Sequence, residues 1–191
     1  MAIEIVSSQL NGVLLLKPKI FGDARGFFQE SFNRRDFETA TGLNVDFVQD
    51  NHSRSVQGVL RGLHFQIEKP QGKLVRVVSG EVLDVAVDIR PRSPTCGEWV
   101  AHRLSAENHL QMWIPPGFAH GFLVLSESAD FLYKTTEYWH PELERSILWS
   151  DEDLNIDWSL GELKNHQPIL AAKDAQAAGL REALASMSTD G

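Results

Sequence analysis

Hydrophobic and polar residues alternate over short stretches along most of the chain, and Gly, Pro, Asn and Ser interrupt them at close intervals. Alternation with a period of two places successive side chains on opposite faces of a β-strand. Many short strands between turn residues are typical of an all-β barrel or sandwich. The predicted strands are Gly12–Pro18, Gly26–Asn33, Leu43–Gln49, Val59–Gln66, Lys73–Ser79, Glu81–Ile89, Glu98–Leu104, Gln111–Ile114, Gly121–Ser126 and Ala129–Trp139.

The stretch VVSGEVLDVAV predicts a β-hairpin, because two runs rich in β-branched residues flank a Ser-Gly pair. Asp84 and Asp88 share one face of its second strand, and we interpret Asp88 as structural. Asp84 has two interpretations, a structural position and a supporting role behind a functional site. The two faces of this strand carry Leu83, Val85, Val87 and Ile89 on one side and Val82, Asp84, Ala86 and Asp88 on the other.

Two helices are predicted. The first is a short helix at Arg34–Thr41, and the second lies in AAKDAQAAGLREALASM, where Leu180 and Leu184 recur at helical spacing. The final residues, STDG, are expected to fray. The chain therefore divides into a single β-barrel domain at 1–175 and a C-terminal surface helix with a frayed tail at 176–191.

Composition narrows the function classes. The formal net charge is −8, and no run of Lys and Arg forms the basic stripe of a nucleic-acid-binding protein. An anionic ligand stays compatible with this charge if positive side chains are placed locally. The only cysteine, Cys96, excludes an intrachain disulfide and fits a reducing compartment. No signal peptide or membrane span is evident, so we expect a soluble, cytoplasmic protein with neither nucleic-acid nor membrane partners.

The stretch GVLRGLHFQ, residues 58–66, places two polar side chains inside an apolar strand. Arg61 and His64 are three positions apart, so a regular strand would point them to opposite faces. A β-bulge at Gly62 would turn both toward the interior. Without it, Arg61 would lie on the outer face beside a carboxylate. His64 itself has three interpretations: a hydrogen-bonded core histidine, a metal ligand or an acid–base catalyst.

The spacing around His64 resembles the metal-binding motif of cupin β-barrels, with its ligands altered. His64 stands at the first histidine position and His120, in PPGFAH, at the last. Gln66 replaces the second histidine and Lys73 replaces the glutamate. An ammonium group repels a divalent cation, and two histidines with an amide form a poor ligand set. The residues therefore predict a cupin barrel without a metal, whose mouth suits an anion and proton transfer.

Longer stretches extend the resemblance from Phe21 to Asp174, nearly the whole chain. In order they are FGDARGFFQESFN, FVQDNHSRS, GVLRGLHFQ, QGKLVRVVSGEVLDVAVDIR, SAENHLQMWIPPGFAHGFLVLSE, FLYKTTEYW and AAKD. The chain thereby resembles the dTDP-4-dehydrorhamnose 3,5-epimerases, metal-free cupin enzymes of deoxysugar biosynthesis. The resemblance implies a cupin-type jelly roll, or double-stranded β-helix, with a few short peripheral helices. Two departures are a longer segment, SLGELKNHQPIL, and AAKD in place of the more usual S-x-KD.

The resemblance also implies roles for individual residues. His64 aligns with the general base, Asp174 with the carboxylate that orients it, and Tyr133 with the general acid. From the residues alone, Tyr133 would be interpreted as a packing residue. Lys73 aligns with the group beside the substrate ketone. The substrate-contacting positions are Arg25, Glu30, Gln49, Asp50, Asn51, Arg61, His120, Glu144 and Lys173, with Trp139 and Phe21 as aromatic residues that stack on the base.

These residue types suit the reaction that the resemblance implies. The family substrate is a thymidine-diphosphate 4-keto-6-deoxy sugar, whose C3 and C5 protons flank a ketone. Removing either proton gives an enolate, and inversion requires an acid on the face opposite the base. Lys73 would stabilise the enolate oxygen, and Arg25 and Arg61 would match the diphosphate. The resemblance implies no cofactor, and a homodimer with exchanged N-terminal strands and sites shared between subunits.

Several other functions stay open. A relative that epimerises one carbon only, or a 4-keto sugar isomerase, would use the same barrel. A non-catalytic module that binds nucleotide sugars is a different class, but binding alone needs no acid–base pair such as His64 and Tyr133. A metal-dependent cupin oxygenase is disfavoured by Gln66 and Lys73.

Overall fold

The computed structural model describes residues 3–188, which are mostly β-structure. Antiparallel pairing joins the strands throughout the named sheets. No helix in this part of the chain is long and apolar enough to cross a membrane. The strands are β1 (Ile3–Gln9), β2 (Val13–Pro18), β3 (Ile20–Asp23), β4 (Gly26–Gln29), β5 (Gln49–Val56), β6 (Leu60–Gln66), β7 (Lys73–Ser79), β8 (Glu81–Asp88), β9 (Trp99–Ser105), β10 (Gln111–Ile114), β11 (Phe118–Val124), β12 (Ser128–Thr135) and β13 (Glu144–Ser146), and the α-helices are α1 (Arg34–Thr41), α2 (Ala172–Ala175) and α3 (Leu180–Ser188).

Two sheets face each other and form the barrel. The larger has the strand order β1-β2-β10-β7-β12-β5, and the smaller has the order β13-β6-β11-β8-β9. The strands β3 and β4 form a separate hairpin, which we call the N-terminal hairpin (Ile20–Gln29). The predicted all-β cupin-type barrel with short peripheral helices is confirmed.

Apolar side chains fill the space between the two sheets. Val77 and Phe131 of the larger sheet meet Val82 and Phe122 of the smaller one, and all four are nearly inaccessible to water. Burial of such side chains stabilises the fold by about 1.5–3 kcal/mol each. The barrel therefore has its own apolar core, which leaves polar side chains to line one end.

The strand β8 is buried on both faces, which confirms the predicted division of its residues. One face packs into the core between the sheets, and the other packs beneath the C-terminal segment. There α3 covers the smaller sheet through Leu180 and Ala183, so the predicted C-terminal helix is confirmed from Leu180 onward and its inner face is buried. The first part of the predicted helical stretch forms the separate short helix α2. Of the predicted frayed tail, residues 189–191 lie outside the described residues.

The helix α1 has the bounds that the sequence predicts. The side chain of Asn33 accepts a hydrogen bond from the Asp36 N–H at 3.3 Å, and Gly42 closes the helix in the left-handed conformation. Phe37 is buried against Trp113 on the outer face of the larger sheet.

Some predicted strands were wrong in extent or in existence. Most of Leu43–Gln49 is irregular, because its alternating apolar side chains pack beside α1 rather than on a paired strand. The strand begins instead at Gln49 and runs through the polar sequence QDNHSRSV, which gave no strand signal. The predicted strand Ala129–Trp139 ends at Thr135, after which the backbone is irregular. The short strands β1, β3 and β13 were also not predicted.

Candidate active site

A cavity of about 580 Å³ opens between the two sheets at one end of the barrel. Its volume lies within the usual range for small-molecule sites. Strands of both sheets contribute polar side chains to its wall. The predicted site residues that line it are Gln49, Asn51, Arg61, His64, Lys73, His120, Tyr133, Trp139, Glu144, Lys173 and Asp174.

A β-bulge in β6 brings Arg61 and His64 into this one cavity. The pairing of β6 with β11 shifts register between His120 and Phe122, opposite Gly62. Gly62 has φ +114°, and a Cβ there would lie 2.6 Å from the carbonyl oxygen of His120. No side chain fits between backbones this close. The predicted bulge is confirmed, and both polar side chains line the cavity, with Arg61 exposed at its wall and His64 half-buried.

His64 and Asp174 form a hydrogen-bonded pair in the wall. The Nε2 of His64 lies 2.7 Å from Oδ1 of Asp174, whose side chain is almost fully buried. Burial acts to raise the pKa of Asp174, but the hydrogen bond and charge of His64 outweigh it and hold that pKa below its ordinary value. The carboxylate therefore accepts the Nε2 proton, and Nδ1 is the ring atom left to take another.

The backbone explains why Asp174 reaches His64 from a distant part of the sequence. Val59 forms a parallel bridge with Ile169, and Leu60 N–H donates to the Ile169 carbonyl at 3.0 Å. The segment around Ile169 thus runs alongside the start of β6, and this places the following helix α2, which carries Asp174, next to the strand. The Gly62 N–H also points at Oδ2 of Asp174, at 3.5 Å.

Lys73 and His120 occupy the deepest part of the cavity. Burial lowers the pKa of Lys73 to about 8, against the opposing attraction of Asp84 and Glu144. His120 is buried as well, and its Nε2 lies 2.9 Å from Oδ2 of Asp84. Burial lowers the pKa of His120, so its ring is neutral near pH 7. Of these two residues, Lys73 therefore carries the positive charge, on its ammonium group.

Tyr133 stands on β12, in the sheet opposite His64, and both line the same cavity. Its ring packs beside Phe131, with centroids 5.9 Å apart. Burial raises the pKa of Tyr133, as does the charge of Glu144, while Arg61 opposes the change. The phenol is therefore protonated at neutral pH and can donate a proton into the cavity.

The rim is formed by groups linked to one another. Lys173 Nζ donates to Oε2 of Glu144 at 2.6 Å, and Trp139 Nε1 donates to Oε1 at 3.4 Å. Gln49 donates from Nε2 to Oδ1 of Asn51 at 2.9 Å. Within residues 3–188, the buried Nδ2 of Asn51 has no hydrogen-bond partner. An unpaired buried donor in a cavity wall is suited to a polar ligand.

Four of the predicted contact residues do not line this cavity. Asp50 lies on the face of β5 opposite its neighbours Gln49 and Asn51, because successive side chains of a strand point to opposite faces. There it accepts a hydrogen bond from Nζ of Lys134 at 2.8 Å. Arg25, Glu30 and Phe21 lie on or directly after the N-terminal hairpin and are exposed. Arg25 contacts Asp23 of the same hairpin, at 2.5 Å.

Some residues that support the site were missed, or left open, in the sequence analysis. Ser55, buried on β5, accepts a hydrogen bond from Nε of Arg61 at 3.1 Å. Gln66 was recognised only as a replaced metal ligand, although its amide bonds the backbone around Trp139. Asp84, left open from the sequence, is the partner of His120. For Asp84, the sequence signal was an acidic residue on an otherwise apolar strand face.

The donor set does not suit a metal ion. His64 and His120 each direct Nε2 at an aspartate carboxylate, and the amide of Gln66 forms hydrogen bonds with backbone groups. In the part of the chain that the structure describes, no three His, Cys, Asp or Glu side chains are grouped to hold a metal. Lys73, with its ammonium group, stands where a glutamate would complete such a site.

Comparison with known proteins agrees with this geometry. The sequence matches the family model described as dTDP-4-dehydrorhamnose 3,5-epimerase over residues 7–182. The chain belongs to the dTDP-4-dehydrorhamnose 3,5-epimerase family. This confirms the predicted resemblance and the predicted enzyme class, an isomerase with dTDP-4-dehydrorhamnose 3,5-epimerase activity in rhamnose biosynthesis.

Relatives of this epimerase family are similar over nearly their whole length. The dTDP-4-dehydrorhamnose 3,5-epimerase of Pseudomonas aeruginosa is 61% identical over 171 residues, which are 90% of this chain and 92% of the relative. The Salmonella typhimurium enzyme is 58% identical over 181 residues, 94% and 97% of the two chains. A crystal structure from Legionella pneumophila, described as an epimerase in complex with dTDP-4-keto-L-rhamnose, has a TM-score of 0.92 and 53% identity, and the similarity covers 97% of this chain and 96% of that one.

Proposed function

We propose that the cavity binds dTDP-4-dehydro-6-deoxy-D-glucose and inverts C3 and C5 by proton transfer through an enolate, giving dTDP-4-dehydro-L-rhamnose. The observation that carries this proposal is the placement of two proton-transfer groups on opposite sheets of one cavity, His64 with Asp174 on one side and Tyr133 on the other. Inversion needs this arrangement, because the proton leaves from one face of the sugar ring and returns to the other.

His64 is the proposed base. Its Nδ1 takes the proton from C3 or C5, while Asp174 holds the ring by Nε2 and stabilises the imidazolium that forms. A positioned base of this kind contributes about 10²–10⁴-fold to a rate. Asp174 is ionised at neutral pH, because its pKa is held below the ordinary value.

Lys73 is the proposed electrophile. As the proton leaves carbon, negative charge moves onto the C4 oxygen, and a fixed ammonium group nearby lowers the energy of that enolate. Lys73 is nearly buried, so its charge acts with little screening by water. A pKa of about 8 leaves most of the group charged at pH 7.

Tyr133 is the proposed acid. Its phenol donates a proton to the enolate carbon from the face opposite His64, and the C4 ketone is restored. The phenolate left behind lies near the charge of Arg61, which stabilises it. Proton exchange with solvent then returns both groups to their starting states.

The remaining wall residues are the proposed ligand contacts. Arg61, held by Ser55, offers a fork of donors to the diphosphate. Gln49, Asn51, His120, Glu144 and Lys173 offer polar contacts, and Trp139 offers a ring face to the base. The Legionella relative, whose crystal structure is described with dTDP-4-keto-L-rhamnose, supports a ligand of this class.

We assign Arg25 and Glu30 to the site of a second copy of the chain, as the family resemblance implies. Phe21, Phe27 and Phe28 of the N-terminal hairpin are 53%, 61% and 65% exposed. Exposed rings clustered on a short hairpin are typical of a protein–protein contact. A homodimer that docks this hairpin would bring Arg25 to the partner's cavity, where its charge would meet the diphosphate. Asp50, paired with Lys134 outside the cavity, has no assigned contact in this arrangement.

Incubation of the protein with dTDP-4-dehydro-6-deoxy-D-glucose in deuterated water tests the proposal, with the product sugar analysed by NMR. We expect deuterium and inverted configuration at both C3 and C5. Incorporation at one carbon only would instead support the single-carbon epimerase. Tight binding without any exchange would support the non-catalytic binding module and contradict the proposed mechanism.

A further inference from the structure

The segment that carries Trp139 is irregular yet firmly held. It leaves β12 after Thr135 and crosses the rim of the cavity before β13 begins. The Trp139 ring is 54% exposed and makes a single side-chain hydrogen bond, from Nε1 to Glu144 at 3.4 Å. A large aromatic ring on an irregular segment can sample several orientations, so the placement of this one depends on how its backbone is held.

Three glutamine side chains fix the backbone of this segment. Gln66 bonds both sides of Trp139: its Nε2 donates to the Tyr138 carbonyl at 3.2 Å, and its Oε1 accepts from the His140 N–H at 2.8 Å. Gln49 accepts from the Trp139 N–H itself at 3.1 Å. Gln71 donates to the carbonyl of the preceding Glu137 at 2.9 Å.

The chemistry of Gln66 suits this position better than the histidine of the cupin motif would. An amide side chain has two N–H donors and one carbonyl acceptor, and Gln66 uses all of them. Its second donor bonds the Lys69 carbonyl at 2.9 Å, and its side chain is buried. An imidazole has two ring nitrogens and cannot make these three bonds. At the position where the cupin motif has a metal ligand, Gln66 therefore holds the backbone instead.

We propose that Gln66 is a positioning residue for nucleotide recognition, which holds the Trp139 ring at the rim for stacking on the base. The inference rests on the proposed function and deepens it. It assigns a part in nucleotide recognition to Gln66, which stands at the second histidine position of the cupin motif. Stacking depends on the angle and height of the ring, so looser backbone anchoring would weaken binding of the nucleotide without touching the reacting carbons.

A double-mutant cycle on the intact protein tests this role. The dissociation constant of dTDP is measured by calorimetry for the wild type, Gln66→Met, Trp139→Ala and the double variant. We expect Gln66→Met to weaken dTDP binding about tenfold, as partial loss of base stacking predicts. In the Trp139→Ala background, the same change should have no further effect, because the ring it positions is absent. Turnover of the nucleotide sugar should show a raised KM and a kcat within about threefold of wild type.

Gln57→Met is the matched control. Gln57 also donates from Nε2 to a backbone carbonyl, that of Leu125 at 2.7 Å, and it does not line the cavity. Its variant should bind dTDP as wild type does. If Gln66→Met does not fold, as circular dichroism would show, Gln71→Met replaces it, with a smaller loss in the same direction because one hydrogen bond is removed.

Two results would overturn the inference. One is an unchanged dissociation constant in the folded glutamine variant, and the other is an equal loss in both the wild-type and the Trp139→Ala backgrounds. In either case normal wild-type turnover would leave the proposed function intact. Absence of dTDP binding by the wild type would instead overturn the proposed function, and the inference with it.

Discussion

The buried end of the cavity and the N-terminal hairpin present charged groups in opposite ways. In the cavity floor, which we define as His64, Lys73, His120 and Tyr133, each histidine is held by an aspartate of the same chain. In the hairpin, Arg25 is 90% exposed and pairs with a carboxylate two residues away. The histidines of the floor are therefore held by buried partners, whereas the charged groups of the hairpin are exposed and, within residues 3–188, paired only with each other.

The difference agrees with the roles that we propose for the two regions. Proton transfer needs groups fixed to within a fraction of an ångström, and buried partners on paired strands provide this. A local surface ion pair such as Arg25 with Asp23 contributes little, because water screens it and the side chains are mobile. Arg25 is thus free to exchange its partner for a phosphate. We infer that the chemistry is complete within one chain and that the binding of the diphosphate depends on a second copy.

The largest expected effect concerns the floor. His64→Ala should lower turnover about 10²–10⁴-fold and abolish deuterium exchange at C3 and C5, because no enolate forms without the base. Binding of dTDP should be unchanged, since the groups that we propose to contact the nucleotide remain. Exchange is followed by NMR in deuterated water, with His102→Ala as the control, since His102 bonds Gln9 outside the cavity. Normal turnover in His64→Ala would make His64 a structural histidine.

The next effect concerns the hairpin. Arg25→Ala should weaken binding of dTDP about 10–100-fold, as loss of a charge-assisted hydrogen bond predicts, and leave the acid–base groups in place. Arg25→Ala and His64→Ala chains are then unfolded and refolded together. In a mixed dimer one site carries both defects and the other carries neither, so about a quarter of wild-type activity should return.

Activity that fails to return on mixing would place Arg25 and His64 in the same chain's site. Sedimentation gives an independent reading of the same comparison. A stable, fully active monomer at micromolar concentration would contradict the dimer, and with it the division of labour between the floor and the hairpin.

A smaller effect concerns pH and Lys73. Because burial lowers the pKa of Lys73 to about 8, its ammonium charge is lost as the pH rises through that value. We expect kcat/KM to fall above about pH 8, up to tenfold per pH unit. A bound diphosphate favours the charged lysine, so the corresponding fall in kcat should lie at higher pH.

Lys73→Arg tests the assignment, because a guanidinium stays charged through this range and should remove the alkaline fall. An identical fall in that variant would assign it to another group. The free energy of unfolding should change in the opposite direction to kcat/KM as the pH rises. Between about pH 8 and the ordinary lysine pKa of 10.5 the unfolded chain binds more protons, so Lys73 makes the folded state more stable as the pH rises across this window.

The smallest expected effect is none at all. Because Lys73 stands at the glutamate position of the cupin motif and Gln66 is committed to backbone hydrogen bonds, turnover should survive exhaustive chelation. Metal content is measured in the same sample by mass spectrometry. Loss of activity on chelation, with recovery on adding zinc or iron, would contradict the interpretation of these two residues.

The sequence predicted those parts of the molecule whose signals are local. The helix Arg34–Thr41 and the strand at Lys73–Ser79 match the structure, because capping residues and alternating apolar side chains lie within the elements themselves. The strand Gln49–Val56 was missed, since most of its side chains are polar and its pairing with β12 supplies the order. Pairing between distant segments leaves no trace in local composition.

The same distinction holds for the site. Motif spacing was enough to predict that His64, Lys73 and His120 lie together at the mouth of the barrel. Asp174 is 110 residues from His64, and family resemblance alone suggested their contact, which the structure shows. Ser55 was missed, because its hydrogen bond to Arg61 depends on strand packing that a sequence does not display.

The most direct test of the central claim is the ratio of deuterium exchange to inversion in Tyr133→Phe. If His64 and Tyr133 act on opposite faces of the sugar, His64 can still remove a proton and return one to the same face. The variant should therefore keep measurable deuterium exchange at C3 or C5 in NMR spectra while it loses inverted product. Equal loss of exchange and inversion, with dTDP binding intact, would contradict the assignment of the two residues to opposite faces.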